Sequence, residues 1–208
     1  MLTKYFGKKI NNGKPLFFLV FIVNYLYFWV TNKQTNIMAA FESLFPHILQ
    51  CEGVVFENDP VDTAGATKFG LITDDLKTYY HDQTKTWQDV KNLTQDEAFK
   101  IYKALYWDYF KADQITNDSL AHFIVDGAIN QGKPTITKYI QQIVGVTADG
   151  VFGSQTLAAL NAHDPKDLFD KLHEKRKNKY DGIVEHNPTQ IKFLKGWYNR
   201  LNSISFKP

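Results

Sequence analysis

Glu52 closes an apolar helical stripe, and behind it follow Gly53, Asn58-Asp59-Pro60, Asp62 and Gly65-Ala66-Thr67-Lys68-Phe69-Gly70. One carboxyl is thereby set against a polar turn region punctuated by glycines and carrying two further carboxyls. The chemistry this suits is acid catalysis on a sugar, in which a protonated carboxyl delivers its proton to a glycosidic oxygen.

The element that must position the acid can be read from spacing. Phe41, Leu44, Phe45, Ile48 and Glu52 recur at helical intervals, so Glu52 continues the face that the apolar residues define and is expected to point inward. Ser43 is expected to cap the helix, with Pro46 in its first turn, where a missing N–H costs nothing. Gly53 is expected to end it in the left-handed conformation. Glu52 then lies at the negative end of the helix dipole, beside Val54, Val55 and Phe56. The burial of those three is expected to disfavour charge further, and both effects to raise its pKa. The alternative is a helix-end glutamate that snorkels to solvent.

Composition limits the other classes. A chain of 208 residues can hold one or two domains with a proper core. Its single cysteine, Cys51, permits no internal disulfide and reads as a small buried hydrophobe. The six histidines have no partner at ligand spacing, so neither metal nor other cofactor is expected. Residues 1–37 carry five lysines and no acid, residues 38–163 a net charge of −7, and residues 164–208 a net +4. The acidic body and the lack of a recognition motif argue against nucleic acid, while the basic tail suits either an anionic polymer or a solvated helix face.

Residues 1–37 stand apart. The run Leu16 to Val30 is apolar and follows Lys4, Lys8, Lys9 and Lys14. It is shorter than the roughly 20 residues of a membrane helix and fits the core of an export signal. Three readings remain open: an export signal, a short membrane tether through residues 16–30, or an extension upstream of a start at Met38. The last is favoured by the change of composition at that point. The first two put the protein outside the membrane or tethered to it, and the third leaves it cytoplasmic until a holin-type release.

Further along, Thr94 and Glu97 form a capping box before a helical pattern through Phe110. Helices are expected over Ser119 to Gln131, Lys133 to Val146, Ser154 (as cap) to Leu160, Pro165 to Val184 and Pro188 to Ile204. The stretch from Leu76 to Trp87 reads as irregular or briefly helical. Strand signals are few, and a small sheet is expected between Val54 to Phe56 and Phe69 to Ile72. Thr147 to Gly153 reads as a structural turn.

Taken in order, Glu52-Gly53, Asn58-Asp59-Pro60, Asp62, Gly65 to Gly70, Ile72-Thr73, Tyr106-Trp107-Asp108 and Asp126 to Gly132 resemble the front part of glycoside hydrolase family 108, the phage-endolysin type of N-acetylmuramidase. The segment Ala148 to Leu157, with Phe193, Gly196, Trp197 and Arg200, resembles the peptidoglycan-binding part that follows in that family. The resemblance covers nearly all of residues 39–205. It implies a mainly α protein: a lysozyme-like domain with a small β-hairpin lobe over residues 38–132, then a helical peptidoglycan-binding region over 133–208. It also implies a monomer acting on peptidoglycan strands at the bacterial cell wall or periplasm. The family's acid carries over to Glu52.

Two departures accompany the match. Val54 and Val55 stand where the family has a second glycine and an aromatic, and Ala64-Gly65 stands where it has a glycine pair. The second catalytic group is sought at Asp62 first and Asp59 second, both of which are equally good turn-formers. Thr67 lies fifteen residues after Glu52, much as the threonine of the Glu/Asp/Thr set in phage lysozymes, and is a candidate to hold the attacking water. Trp107 and Trp197 can stack on sugar rings or fill a core, and Asn130 and Gln131 can hold acetamido groups or cap a helix. The competing function on this fold is a non-catalytic wall-binding or secretion-assisting protein.

Overall fold

The computed structural model describes residues 41–58 and 65–208, and the residues from Phe41 onward form one compact unit. The segment 1–37, with its apolar run, lies outside the described residues, as do Asp59 and Asp62. No helix among the described residues is long and apolar enough to cross a membrane.

The protein is mostly helical. The first helix, α1, runs through 41–52. A β-hairpin follows, β1 (Thr67–Lys68) paired antiparallel with β2 (Leu71–Ile72). The short helices α2 (Thr73–Tyr80), α3 (Trp87–Asn92) and α4 (Gln95–Tyr102) complete the lobe around it. The central helix α5 (Asp118–Gln131) then turns sharply at Gly132 into α6 (Lys133–Val144). The chain closes with α7 (Ser154–Ala162), the long α8 (Pro165–His186) and α9 (Ile191–Leu201).

Apolar periodicity accounts for most of this. Phe41, Leu44, Phe45 and Ile48 bury one face of α1, and Phe41 and Phe45 pack edge-on against Phe99 of α4. Almost every residue of α5 from Ser119 to Ala128 is buried, so it serves as the axis on which α6, α8 and the preceding turns pack. Thr94 and Glu97 make the expected reciprocal cap, with Thr94 N donating to Glu97 Oε2 at 2.8 Å and Glu97 N to Thr94 Oγ1 at 3.3 Å.

Several local expectations are corrected. Ser43 and Pro46 lie inside α1, so Ser43 is not its N-terminal cap and Pro46 leaves one helical carbonyl without its usual donor. Val54 and Val55 form no strand: they lie in an exposed bend, 49% and 70% accessible. The sheet pairs Thr67 with Ile72, because Phe69 and Gly70, at φ of 55° and 76°, form the turn itself. Positive φ at both central positions is what a tight hairpin turn requires. The helix after Thr94 is not regular to Phe110. It passes at Lys103–Trp107 into a π-helical turn, with Asp108 N donating to Lys103 O at 2.8 Å. The cap of α7 is Gly153 rather than Ser154, and that of α5 is Asn117, whose side chain accepts from Leu120 N.

Losing the Thr94 cap should leave the fold intact and cost about 1 kcal/mol. Thr94→Ala is expected to lower the free energy of unfolding by that amount, read as a lower urea midpoint with the slope of the transition unchanged.

Candidate active site

Glu52 is the last helical residue of α1, and Gly53 ends the helix as expected, at φ 81° with its N–H bonded to Leu49 O at 2.9 Å. The hairpin turn packs directly on the acid. A Cβ added to Gly70 would fall 2.6 Å from Glu52 Cβ and 2.8 Å from the Tyr102 hydroxyl, so only glycine lets this turn approach. Tyr102 locks the arrangement by donating from its hydroxyl to Phe69 O at 2.9 Å. The side chain of Glu52 is thus held along its stem by backbone.

Its head meets a cation. Arg200 Nη1 of α9 donates to Glu52 Oε1 at 2.7 Å, and Arg200 Nε donates to Asp126 Oδ1 of α5 at 2.9 Å. The apolar wall expected from Val54 and Val55 is missing, since both turn to solvent, and the group facing the carboxyl is a guanidinium.

Asp126 is the centre of a buried charge cluster. Arg176 of α8, fully buried, donates to its Oδ2 at 2.7 Å and to Phe123 O at 3.1 Å. His47 Nε2 lies 3.4 Å from Asp126 Oδ1 and 3.6 Å from Cys51 Sγ. Burial pushes the Asp126 carboxyl up, but the hydrogen bond from His47 and the charges of Arg176 and Arg200 outweigh it and hold the group well below the usual carboxylate range. The bonds to Asp126 and then to Cys51 push His47 up to about 9. Burial pulls the Arg200 guanidinium down, while Asp126 and Glu52 more than restore it.

His47, Cys51 and Asp126 bring donor atoms within 4.8 Å of one another, which corrects the expectation that no histidine has a partner at ligand spacing. Both Asp126 oxygens already serve arginines, however, and two guanidiniums beside the cluster repel a cation. The donors are committed to internal ion pairs.

The other candidates divide. Thr67 is on β1, with both backbone groups bonded to Glu57 at 2.9 Å, three residues before the glycine that touches Glu52. Trp107 is 1% exposed, packs on Phe41 and bonds Asp113 through Nε1, so it fills the core and offers no face to a sugar. Gln131 is buried and donates to Arg176 O at 3.1 Å. Asn130 and Trp197 meet through Tyr180, whose hydroxyl lies 2.5 Å from Asn130 Oδ1 and whose ring stacks on Trp197 at 5.3 Å. Phe193 extends this stack at 6.1 Å from Trp197 and is 46% exposed.

The charge cluster was missed in the sequence, yet it left a trace. Leu168, Leu172, Arg176 and Tyr180 recur every four residues along α8, placing an arginine in a buried stripe that requires an acid opposite. Asp75 was missed too. It is an acid whose carboxyl burial pushes up, and its charge and that of Glu52 both act on Tyr102 and Tyr106.

Comparison with known proteins follows the same two parts. Residues 45–132 match the family model described as "Glycosyl hydrolase 108", and residues 136–202 match one described as "Predicted Peptidoglycan domain". Over the first of these segments the chain is similar to the glycosyl hydrolase 108 family. It is a glycoside hydrolase of lysozyme-like type with peptidoglycan as its partner. No curated protein matches it. Among solved structures it is similar to Brucella abortus SagA, at 29% identity and a TM-score of 0.67, over 80% of this chain and 92% of that one.

Two outcomes follow from the cluster. Asp126→Asn leaves Arg176 buried without its counter-charge and is expected to cost about 3–5 kcal/mol, read from denaturant unfolding. His47 is raised in the folded state, so its stabilisation is complete below the unfolded value of about 6.5 and is lost as pH rises toward 9. The melting temperature should therefore fall between those pH values, and His47→Gln should flatten that fall.

Proposed function

We propose that this glycoside hydrolase is an endo-acting N-acetylmuramidase. It cuts the β-1,4 bond between N-acetylmuramic acid and N-acetylglucosamine, with Glu52 as general acid. The observation that carries the reading is the placement of Glu52: the one carboxyl at the family's Glu-Gly position ends a helix, is 21% exposed, and is fixed between the hairpin turn and Arg200. Arg200 engages Oε1, which leaves Oε2 to address the glycosidic oxygen.

Hydrolysis also needs a second group on the opposite face of the sugar, about 6.5–9.5 Å from the acid if water attacks directly and about 5–5.5 Å if the enzyme forms a covalent intermediate. Asp62 is assigned that role first, with Asp59 as the alternative. Their segment leaves and returns at the Glu57–Thr67 bridge, on the same hairpin that packs against Glu52. Thr67 then holds the attacking water. Trp197, Phe193 and Asn130 receive the sugar rings and their acetamido groups, since stacked aromatics beside an amide match the apolar face and polar rim of a pyranose. The enzyme acts as a monomer. Division of the unit into a hydrolase part over 38–132 and a wall-binding part over 133–208 belongs to the same reading.

Glu52→Gln keeps the shape and removes the proton. It should reduce the release of reducing sugar from purified peptidoglycan by at least about 100-fold while sedimentation with intact walls is unchanged. Full activity in that variant would end the assignment, and a wild-type protein that binds walls without cutting them would favour the wall-binding alternative. Trp197→Ala should raise KM several-fold with kcat nearly intact.

A further inference from the structure

We propose that Arg200 is a positioning residue for the hydrolysis reaction, supplied to the reaction centre by the region that matches the peptidoglycan domain. This rests on the reading of Glu52 as the acid. Arg200 is on α9, within residues 136–202, whereas Glu52 belongs to the segment matched by the hydrolase model, 148 residues earlier.

The geometry goes beyond a chance ion pair. Arg200 is 10% exposed and uses two different nitrogens: Nε on Asp126 and Nη1 on Glu52. Asp126 is in turn held by Arg176 on its other oxygen, with His47 alongside. The guanidinium therefore cannot swing freely. Its plane is set by the buried carboxylate, and Nη1 presents a fixed point to which Glu52 is tied at 2.7 Å. A glutamate at a helix end otherwise explores several rotamers, and a misdirected proton donor loses most of its value. The backbone of the Gly70 turn fixes the stem of Glu52 and Arg200 fixes its head.

The link between α5 and α8 does not need this arginine, because Asp126 and Arg176 already join them in full burial. What Arg200 adds is the extension of that cluster to a partly exposed carboxyl. Lysine is a poor replacement. One ammonium is a point charge and lacks the planar fork that spans Asp126 and Glu52 together.

The test compares Arg200→Gln, Arg200→Lys and Glu52→Gln in the full chain, on a soluble peptidoglycan fragment, with melting temperature and wall sedimentation measured alongside. Arg200→Gln is expected to lower kcat about 30- to 100-fold with KM changed less than about threefold, and Arg200→Lys to keep an intermediate kcat. Guanidinium ion added below denaturing concentration should restore part of the kcat of Arg200→Gln and do nothing for Glu52→Gln. In the double variant the loss should not exceed that of Glu52→Gln alone, because both act on one group.

A folded Arg200→Gln with wild-type kcat, or a loss that merely follows the unfolded fraction and resists guanidinium, overturns the proposal while leaving Glu52 in place. If Arg200→Gln does not fold, Arg200→Lys decides, and wild-type kcat there is equally fatal. Full activity in Glu52→Gln would instead remove the reading on which the proposal rests.

Discussion

A single buried carboxylate, Asp126, organises the molecule. It lies on the most buried helix and receives Arg176 from α8, Arg200 from α9 and His47 from α1, so four helices converge on one side chain. A lone charge at that depth would be strongly unfavourable, and so would either arginine without it. The carboxylate therefore requires a buried cation, and the buried arginine requires the carboxylate. Hydrophobic contacts are tolerant of small shifts, whereas hydrogen-bonded charges fix distance and direction. The apolar core accounts for compactness, and this cluster accounts for how α1, α8 and α9 are aligned with respect to α5.

The proposed reaction centre inherits that alignment. Glu52 belongs to α1, five residues beyond His47, so the same helix is pinned by the buried cluster and carries this carboxyl at its end. The hairpin contributes a contact of another kind, backbone against side chain, possible only because Gly70 lacks a Cβ. The π-helical turn at Lys103–Trp107 divides neighbouring aromatics between two tasks: Trp107 is driven into the core, while Tyr106 lies 5.7 Å from Tyr102 on the side of Glu52 and Asp75. One extra residue in the turn separates a fully buried ring from a partly buried one.

Much of this was legible in the sequence where one local signal decides the outcome. The α1 stripe, the Thr94–Glu97 box, the Gly53 stop and the boundaries of α5 and α6 each follow from spacing or a terminal residue. The failures have physical causes. Val54 and Val55 have high strand propensity, but no strand among the described residues pairs with them, and propensity yields to pairing. Ser43 was a good cap in isolation, yet α1 has already begun by Phe41. Trp107 could not be sorted from Trp197 by type, because both obey helical spacing and only tertiary packing separates them. The ion cluster was hidden for the same reason: its members are up to 153 residues apart, between His47 and Arg200, and no window contains them.

The convergence on Asp126 also bears on how such chains can be rearranged. Lytic enzymes are often regarded as catalytic heads with exchangeable wall anchors, joined like beads on a thread. Here α8 and α9, in the segment that matches the peptidoglycan domain, extend their arginines to Asp126 in the segment that matches the glycosyl hydrolase model, and foreign sequence grafted after Gly132 would leave an orphaned anion at the heart of the recipient. Recombination in this lineage should respect that seam by carrying both halves together, or by importing a donor that already brings two matching cations.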